Sequence, residues 1–213
     1  MPLAFAMPPR VRILPSQTVI DSDPQADALA AALFAERHML ELPGLLGDDL
    51  PALFAQMRRN ARFVPDGDAK VGQRLLEEPP RLGTALCFLL KRQPLRAWLE
   101  QITGIGPLVT VGGATAQFLA GGGHQLEWHN DLVADQARLL GVTVNLGSEP
   151  YEGGRFELRR RKETALLAHY DHRQFGSALM FRVSRDLMHR VTPVTEGGPR
   201  TVFGGWFFGE APA

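Results

Sequence analysis

Two imidazoles and one carboxylate carry the most specific chemistry in this chain. They are His129 and Asp131, two residues apart in the segment GHQLEWHND from Gly123 to Asp131, and the distant His189. Such a set can occupy one face of a metal ion and leave the opposite face open, an arrangement associated with non-haem Fe(II) chemistry. On a strand or tight turn, residues i and i+2 point the same way, so His129 and Asp131 can converge on one ion while Asn130 faces elsewhere. An isolated His-x-Asp is more often a hydrogen-bonded pair in a turn, so the weight of this reading lies in the residues C-terminal to it.

Those residues form an ordered set of strand-like runs. LLGVTVNL (139–146) reads as a buried strand, YEGGRFEL (151–158) as a Gly-Gly turn opening an alternating strand, and GSALMFR (176–182) as another strand. HRVTPV (189–194) delivers the third ligand, and RTVFGGWFF from Arg200 closes the sheet. In order and residue type these motifs resemble the 2-oxoglutarate/Fe(II)-dependent oxygenase superfamily, and within it the prolyl-4-hydroxylase-like branch. The resemblance covers roughly the C-terminal half of the chain and rests on several ordered motifs, not on His-x-Asp alone. It implies Fe(II), 2-oxoglutarate as co-substrate and O2, with ascorbate as an accessory, and it implies His129, Asp131 and His189 as the metal ligands.

Charge and valence extend this reading. Two neutral imidazoles and one carboxylate leave a ferrous ion one net positive charge and, if octahedral, three open positions, enough for a chelating 2-oxo acid and dioxygen. The distal carboxylate of 2-oxoglutarate must then be neutralised inside the pocket, because an unpaired buried charge is costly. Arg200, eleven residues after His189, is the candidate, since a guanidinium can grip a carboxylate through two parallel hydrogen bonds and a lysine cannot. By the family pattern a residue on the strand before the Gly-Gly turn also contacts that carboxylate. Asn145 stands near this place with Thr143 on the same strand face, where many members carry Tyr. Trp206 aligns with a tryptophan that lines the co-substrate pocket, though it would serve equally as core, and Ala120 stands near another position often filled by Tyr.

These residues need a rigid frame. From about Leu108 the runs VTV, TAQFLA, GVTVNL, RFELR, TALLAHY, SALMFR and RTVFGGWFF are short, rich in β-branched or aromatic residues and separated by Gly, Pro and Asp turns, the signature of a sandwich or jelly roll. Ahead of them the chain reads as helical. Asp21 or Ser22 can cap a helix with Pro24 in its first turn, running to His38, a second follows Gly47, and others cover Arg81 to Leu90 and Pro94 to Ile102, the last ended by Gly104. The expected class is α+β, a double-stranded β-helix (jelly roll) buttressed by N-terminal helices. The organisation expected is a single oxygenase domain over 1–213, with 1–106 mainly helical support and 107–213 the core that carries the site.

Composition sets limits. At 213 residues the chain can bury a sizeable core, and Lys plus Arg (23) equals Asp plus Glu (23), so no global field argues for nucleic acid or an anionic membrane. The start, MPLAFAMPPRVRILP, is punctuated by Pro2, Pro8, Pro9 and Pro15 and lacks the apolar run of a signal peptide or membrane span. The single Cys87 cannot form an intramolecular disulfide, which suggests a reducing, cytoplasmic setting. Among Ala85, Leu86, Phe88 and Leu89 it reads as a buried small hydrophobe.

Other polar residues have plainer readings. His124, in a glycine-rich loop, reads as a solvated histidine, and His169 and His172, flanking Asp171, read as hairpin polarity. The run Arg155, Arg159, Arg160, Arg161 and Lys162 reads as a solvated face, while Trp128, beside the first ligand, is a candidate for packing on substrate. The functional expectation is a dioxygenase that hydroxylates an unactivated C–H bond, on an amino-acid residue of a peptide, protein or carrier-bound substrate, with release of succinate and CO2. A free small metabolite is the alternative substrate, and a catalytically silent jelly-roll binding module is the alternative outside enzymology. Asp131 argues against a halogenase, in which a small residue replaces the carboxylate ligand to admit halide.

Overall fold

The computed structural model describes residues 10–66, 71–132 and 137–210, so most of the proline-punctuated start, residues 1–9, lies outside the described residues. The chain opens on a hairpin of β1 (Arg10–Ile13) and β2 (Thr18–Asp21). Helix α1 (Pro24–Arg37) is capped by Asp23, not by Asp21 or Ser22. The Asp23 carboxylate accepts from the Gln25 and Ala26 N–H groups at 2.8 Å each, whereas Asp21 still belongs to β2 and the Ser22 hydroxyl donates to Asp27. Strand β3 (Met39–Leu42), helix α2 (Leu50–Arg59) and the hairpin of β4 (Phe63–Pro65) and β5 (Leu75–Glu77) come next. Helix α3 (Arg81–Leu90) has no side-chain cap of its own. Instead the buried Glu77 carboxylate accepts from the Leu82 and Gly83 N–H groups (2.8 and 3.1 Å), an anion set against the positive end of the helix. Helix α4 (Gln93–Thr103) ends where Gly104 turns left-handed at φ 64°.

The remaining strands are β6 (Thr110–Phe118), β7 (Leu126–His129), β8 (Arg138–Asn145), β9 (Tyr151–Gly153), β10 (Phe156–Arg160), β11 (Leu166–Tyr170), β12 (Ala178–Arg182), β13 (Leu187–Val191), β14 (Val194–Gly197) and β15 (Arg200–Phe208). They form a large sheet in the order β3-β12-β8-β15-β6-β5-β4, a smaller sheet in the order β11-β10-β13-β7, and a β14-β9 pair. Every pairing in the large sheet is antiparallel. This is a jelly roll, with one departure from the expected division of labour. The N-terminal half does not only brace the sheet from outside, because β3, β4 and β5 extend its two edges.

Both faces of the large sheet are covered, and β15 shows how its sequence serves each. Arg200, Val202, Gly204 and Trp206 line the inner cavity, while Phe203 and Phe207 pack with Phe34, Leu86, Trp98 and Leu99 in the helix-side core, as the two-residue strand period requires. Each such apolar side chain contributes about 1.5–3 kcal/mol by leaving water. The Trp98 indole N–H donates to Asp27 at 3.0 Å, which ties α4 to α1. The two sheets meet through Phe156, Leu158, Leu179, Phe181 and Leu187. At Gly113 a Cβ would stand 2.5 Å from the Gly204 carbonyl oxygen, so the close approach of β6 to β15 excludes any larger residue there. Among the described residues no helix is long and apolar enough to cross a membrane.

Candidate metal centre and co-substrate pocket

The smaller sheet brings the two histidines together. His129 ends β7 directly opposite His189 on β13, and the turn after β7 is fixed by the residue between the two nearby ligands. The Asn130 amide donates to the Ser184 and Leu187 carbonyl oxygens at 2.6 Å each, and its oxygen accepts from the Leu132 N–H at 2.8 Å. With Asn130 clamped outward, His129 and Asp131 project to the same side. His129 Nε2 lies 3.5 Å from Asp131 Oδ1, His189 Nε2 lies 3.3 Å from Asp131 Oδ2, and one ligand atom from each of the three falls within 4.8 Å of the others.

The chemistry of this donor set fits a ferrous ion. His129 Nδ1 is 2.6 Å from the Glu127 carbonyl oxygen, which can only accept, so Nδ1 carries the proton and Nε2 turns its lone pair inward. His189 sits against the rings of Phe156 and Phe181. Burial pushes its pKa down to about 4 against the pull of Asp131, with His129 adding to the lowering, so it too offers a lone pair at neutral pH. The Trp206 indole N–H donates to Asp131 Oδ2 at 2.7 Å, and Arg138 lies over the Trp206 ring with Nη1 3.2 Å from the Asp131 carbonyl oxygen. Trp206 thus orients Asp131 as well as lining the cavity.

Both contacts have measurable consequences. Trp206→Phe keeps a ring beneath Arg138 but removes the hydrogen bond to Asp131, and it should weaken Mn(II) binding by about 10- to 100-fold in a metal titration. In the metal-free protein His189 stays neutral below its ordinary value of 6.5, where the unfolded chain takes up a proton. Stability is therefore greatest above about 6.5 and should fall by about 1.4 kcal/mol per pH unit until His189 protonates near 4. Urea unfolding at pH 7 and pH 5 checks this. His172, also lowered by burial, acts in the same direction.

Beyond the metal corner, a cavity of about 420 Å³ runs between the sheets to Arg200. Arg200 is 1% exposed, and its Nε and Nη1 have no hydrogen-bond partner among the described residues. The Tyr151 hydroxyl, whose dipole favours the Arg200 charge, donates to the His172 carbonyl oxygen at 2.9 Å. Gly154, at φ 60°, makes room for this arginine, since a Cβ there would stand 2.6 Å from Arg200 Cδ. Two buried, positively charged donors without a partner among the described residues suit a carboxylate, because an unpaired buried charge is otherwise strongly unfavourable.

The structure sorts the other expected residues. Thr143 lines the cavity, but Asn145 does not reach it. Its amide donates to the Gln174 carbonyl oxygen at 3.0 Å and its oxygen accepts from the Gly147 N–H at 3.1 Å, so both ends close the bend after β8. Trp128 alternates with His129 and lies on the outer face of the small sheet beneath Arg159 and Arg190, away from any substrate in the cavity. His124 accepts from the Leu119 N–H and closes its own loop. Of the basic run, Arg155 pairs with Asp171 and Arg160 with Glu163. His169 is exposed, as a hairpin residue should be. His172 is not a hairpin residue, because it is 2% exposed and bonded to Thr143. Arg138, Tyr151 and His172 carry no motif that marks them in the sequence.

Comparison with known proteins agrees with this geometry. Residues 114–208 match the family model described as the 2OG-Fe(II) oxygenase superfamily, whereas no curated protein matches the chain. Among solved structures, a prolyl-4-hydroxylase of Pseudomonas putida superposes with a TM-score of 0.62 at 19% identity, covering 87% of this chain and 100% of that one. A prolyl hydroxylase from Trichoplax adhaerens, solved with a hypoxia inducible factor oxygen degradation domain peptide fragment, gives 0.60 at 14%, covering 86% and 89%. The epimerase SnoN from nogalamycin biosynthesis gives 0.62 at 14%, covering 88% and 84%. Residues 114–208 thus match the 2OG-Fe(II) oxygenase superfamily, a family of enzymes that require Fe(II) and 2-oxoglutarate.

Proposed function

We propose that this protein is a hydroxylase of an unactivated C–H bond on an amino-acid side chain of a peptide, protein or carrier-bound substrate. In this reading His129, Asp131 and His189 hold ferrous iron, while Arg200 and Thr143 hold the distal carboxylate of 2-oxoglutarate. Bound iron supplies the activation of dioxygen that couples decarboxylation of 2-oxoglutarate, to succinate and CO2, with oxidation of the substrate. The observation that carries the reading is one cavity with a His-Asp-His corner and, deeper, an arginine with two unanswered donors.

The protein's own groups do the rest of the work. Arg200 fixes the far end of the co-substrate and so aims its keto-acid head at the metal corner. Trp206 and the clamped Asn130 hold Asp131 and His129 in register. Leu126, Phe156 and Val191 give the cavity apolar walls that exclude water and suit a hydrocarbon target. Asp131 fills the position that halide would need, which favours oxygen insertion. Relatives of this fold have been solved with a peptide and from a natural-product pathway. A free small metabolite therefore remains the alternative substrate, one that a cavity of about 420 Å³ can hold.

The test is turnover of 2-oxoglutarate to succinate with ferrous iron and air, followed by a mass-spectrometric screen of peptides and metabolites for the gain of one oxygen. Succinate formation with a peptide gaining one oxygen supports the proposal. A product oxidised without gain of oxygen overturns hydroxylation, and absence of any 2-oxoglutarate binding leaves the silent binding module as the better reading.

A further inference from the structure

One fully buried ionisable side chain near the cavity belongs to no metal-ligand group and to no ion pair among the described residues. His172 lies just beyond β11, is 2% exposed, and places Nε2 2.8 Å from the Thr143 hydroxyl, on the wall of the cavity that also holds Arg200. Its Nδ1 faces Ser177 Oγ at 3.4 Å, and the Ser177 hydroxyl spends its own proton on the Gln174 carbonyl oxygen at 2.8 Å. We propose that His172 is a positioning residue for the co-substrate: by donating from Nε2 to Thr143 it frees the Thr143 proton to bond the distal carboxylate held by Arg200. The inference rests on Arg200 being the anchor of that carboxylate.

Counting protons leads to this assignment. A hydroxyl has one hydrogen to give. If Thr143 gives it to His172 Nε2, only lone pairs face an arriving carboxylate, which repels them. If His172 carries its proton on Nε2, Thr143 accepts from the ring and donates into the cavity, making a charge-assisted bond. Moving the proton from Nδ1 to Nε2 gives up the long 3.4 Å contact to Ser177 and requires the Ser177 hydroxyl to turn its proton from Gln174 to Nδ1, a cost that the charge-assisted bond from Thr143 to the bound co-substrate offsets. Burial and the neighbouring Arg200 charge keep the ring neutral, so the response is a change of tautomer and not a gain of charge. The His172 carbonyl oxygen also accepts from Tyr151, the residue that steadies Arg200, so one short segment positions both groups of the cradle.

The test uses the Mn(II)-loaded protein and calorimetric titration with 2-oxoglutarate and, separately, with pyruvate, which has the keto-acid head but no distal carboxylate. Thr143→Val should weaken 2-oxoglutarate binding by about 10- to 100-fold, the range for a bond to a charged group, and Thr143→Ser should restore most of it. His172→Phe should lose about 10-fold, Thr143→Val with His172→Phe should be no weaker than Thr143→Val alone, and pyruvate binding should be unchanged throughout. If His172→Phe leaves 2-oxoglutarate binding intact, weakens pyruvate equally, or adds its loss to that of Thr143→Val, the inference is wrong. Should His172→Phe fail to fold, nitrogen-15 spectra of the parent loaded with Zn(II) decide the matter. The His172 proton should reside on Nε2 once 2-oxoglutarate is added, and a proton remaining on Nδ1 overturns the inference. If Arg200→Ala binds 2-oxoglutarate as tightly as the parent, the site reading itself is refuted, which separates that failure from a failure of His172 alone.

Discussion

Arg200→Ala should weaken 2-oxoglutarate binding by roughly thirty-fold to several thousand-fold, because truncating one partner of a buried charge pair costs about 2–5 kcal/mol. Arg200→Lys should recover only part of this, since an ammonium cannot reproduce the bidentate fork. Metal binding should persist, because the guanidinium is not a ligand. The ligand-free protein offers a second signature. In the parent, Nε and Nη1 of Arg200 are buried without partners among the described residues, so the arginine is an electrostatic burden until the carboxylate arrives. Removing it relieves that burden while forfeiting the packing of its stem against Gly154 and Phe118, and the ligand-free stability should change little. The stabilisation by co-substrate, about 2.7 kcal/mol at one hundred times the parent Kd, should fall to about 0.9 kcal/mol or less. Thermal unfolding of the Mn(II)-loaded protein with and without 2-oxoglutarate reads both effects. Equal stabilisation of parent and variant would remove Arg200 from the co-substrate site.

The contrast between Arg200 and His172 shows what a sequence of this kind exposes and what it hides. His129, Asp131, His189 and Arg200 are legible because few side chains can bind iron or grip a carboxylate, and the intervening strands carry apolar runs that fix their order. His172 lies in AHYDHR, a segment as polar as an exposed hairpin, and only the pairing of β8 with β12 brings Thr143 and Ser177 around it. Arg138 is masked in the same way, since its place above Trp206 joins the start of β8 to the end of β15. Asn145 shares the parity of Thr143, but it is the last residue of β8 and its amide is taken by the adjoining bend. The outward turn of Trp128 was legible, because an inward His129 requires its strand neighbour to face the other way. The strands β1 to β5 escape detection for a simpler reason. At three or four residues each, they are too short to display an alternating period.

Asp131→Asn is the sharper probe of the metal corner, because it changes charge with almost no change of shape. The parent carboxylate is 8% exposed, accepts from the Trp206 N–H, and stands 3.5 and 3.3 Å from the two imidazole nitrogens. The amide oxygen of Asn can still accept from Trp206, so the corner should keep its form and the metal-free protein its fold. What is lost is the one anionic donor among the three residues. Removing the partner of a buried charge costs about 3–5 kcal/mol, so metal affinity should fall roughly 150- to 5,000-fold. Turnover should vanish even at metal concentrations that fill the site, because two imidazoles and an amide no longer present the same face or charge. Asp131→Ala should lose as much metal affinity and, by orphaning the Trp206 N–H, some stability as well. Metal titration, succinate formation and urea unfolding measured on both variants separate charge from shape. Asn with near-parent turnover would show that the carboxylate is dispensable and that the triad is not the iron site. Loss of folding in Asn as well as Ala would show instead that Asp131 serves structure first, through Trp206 and Arg138.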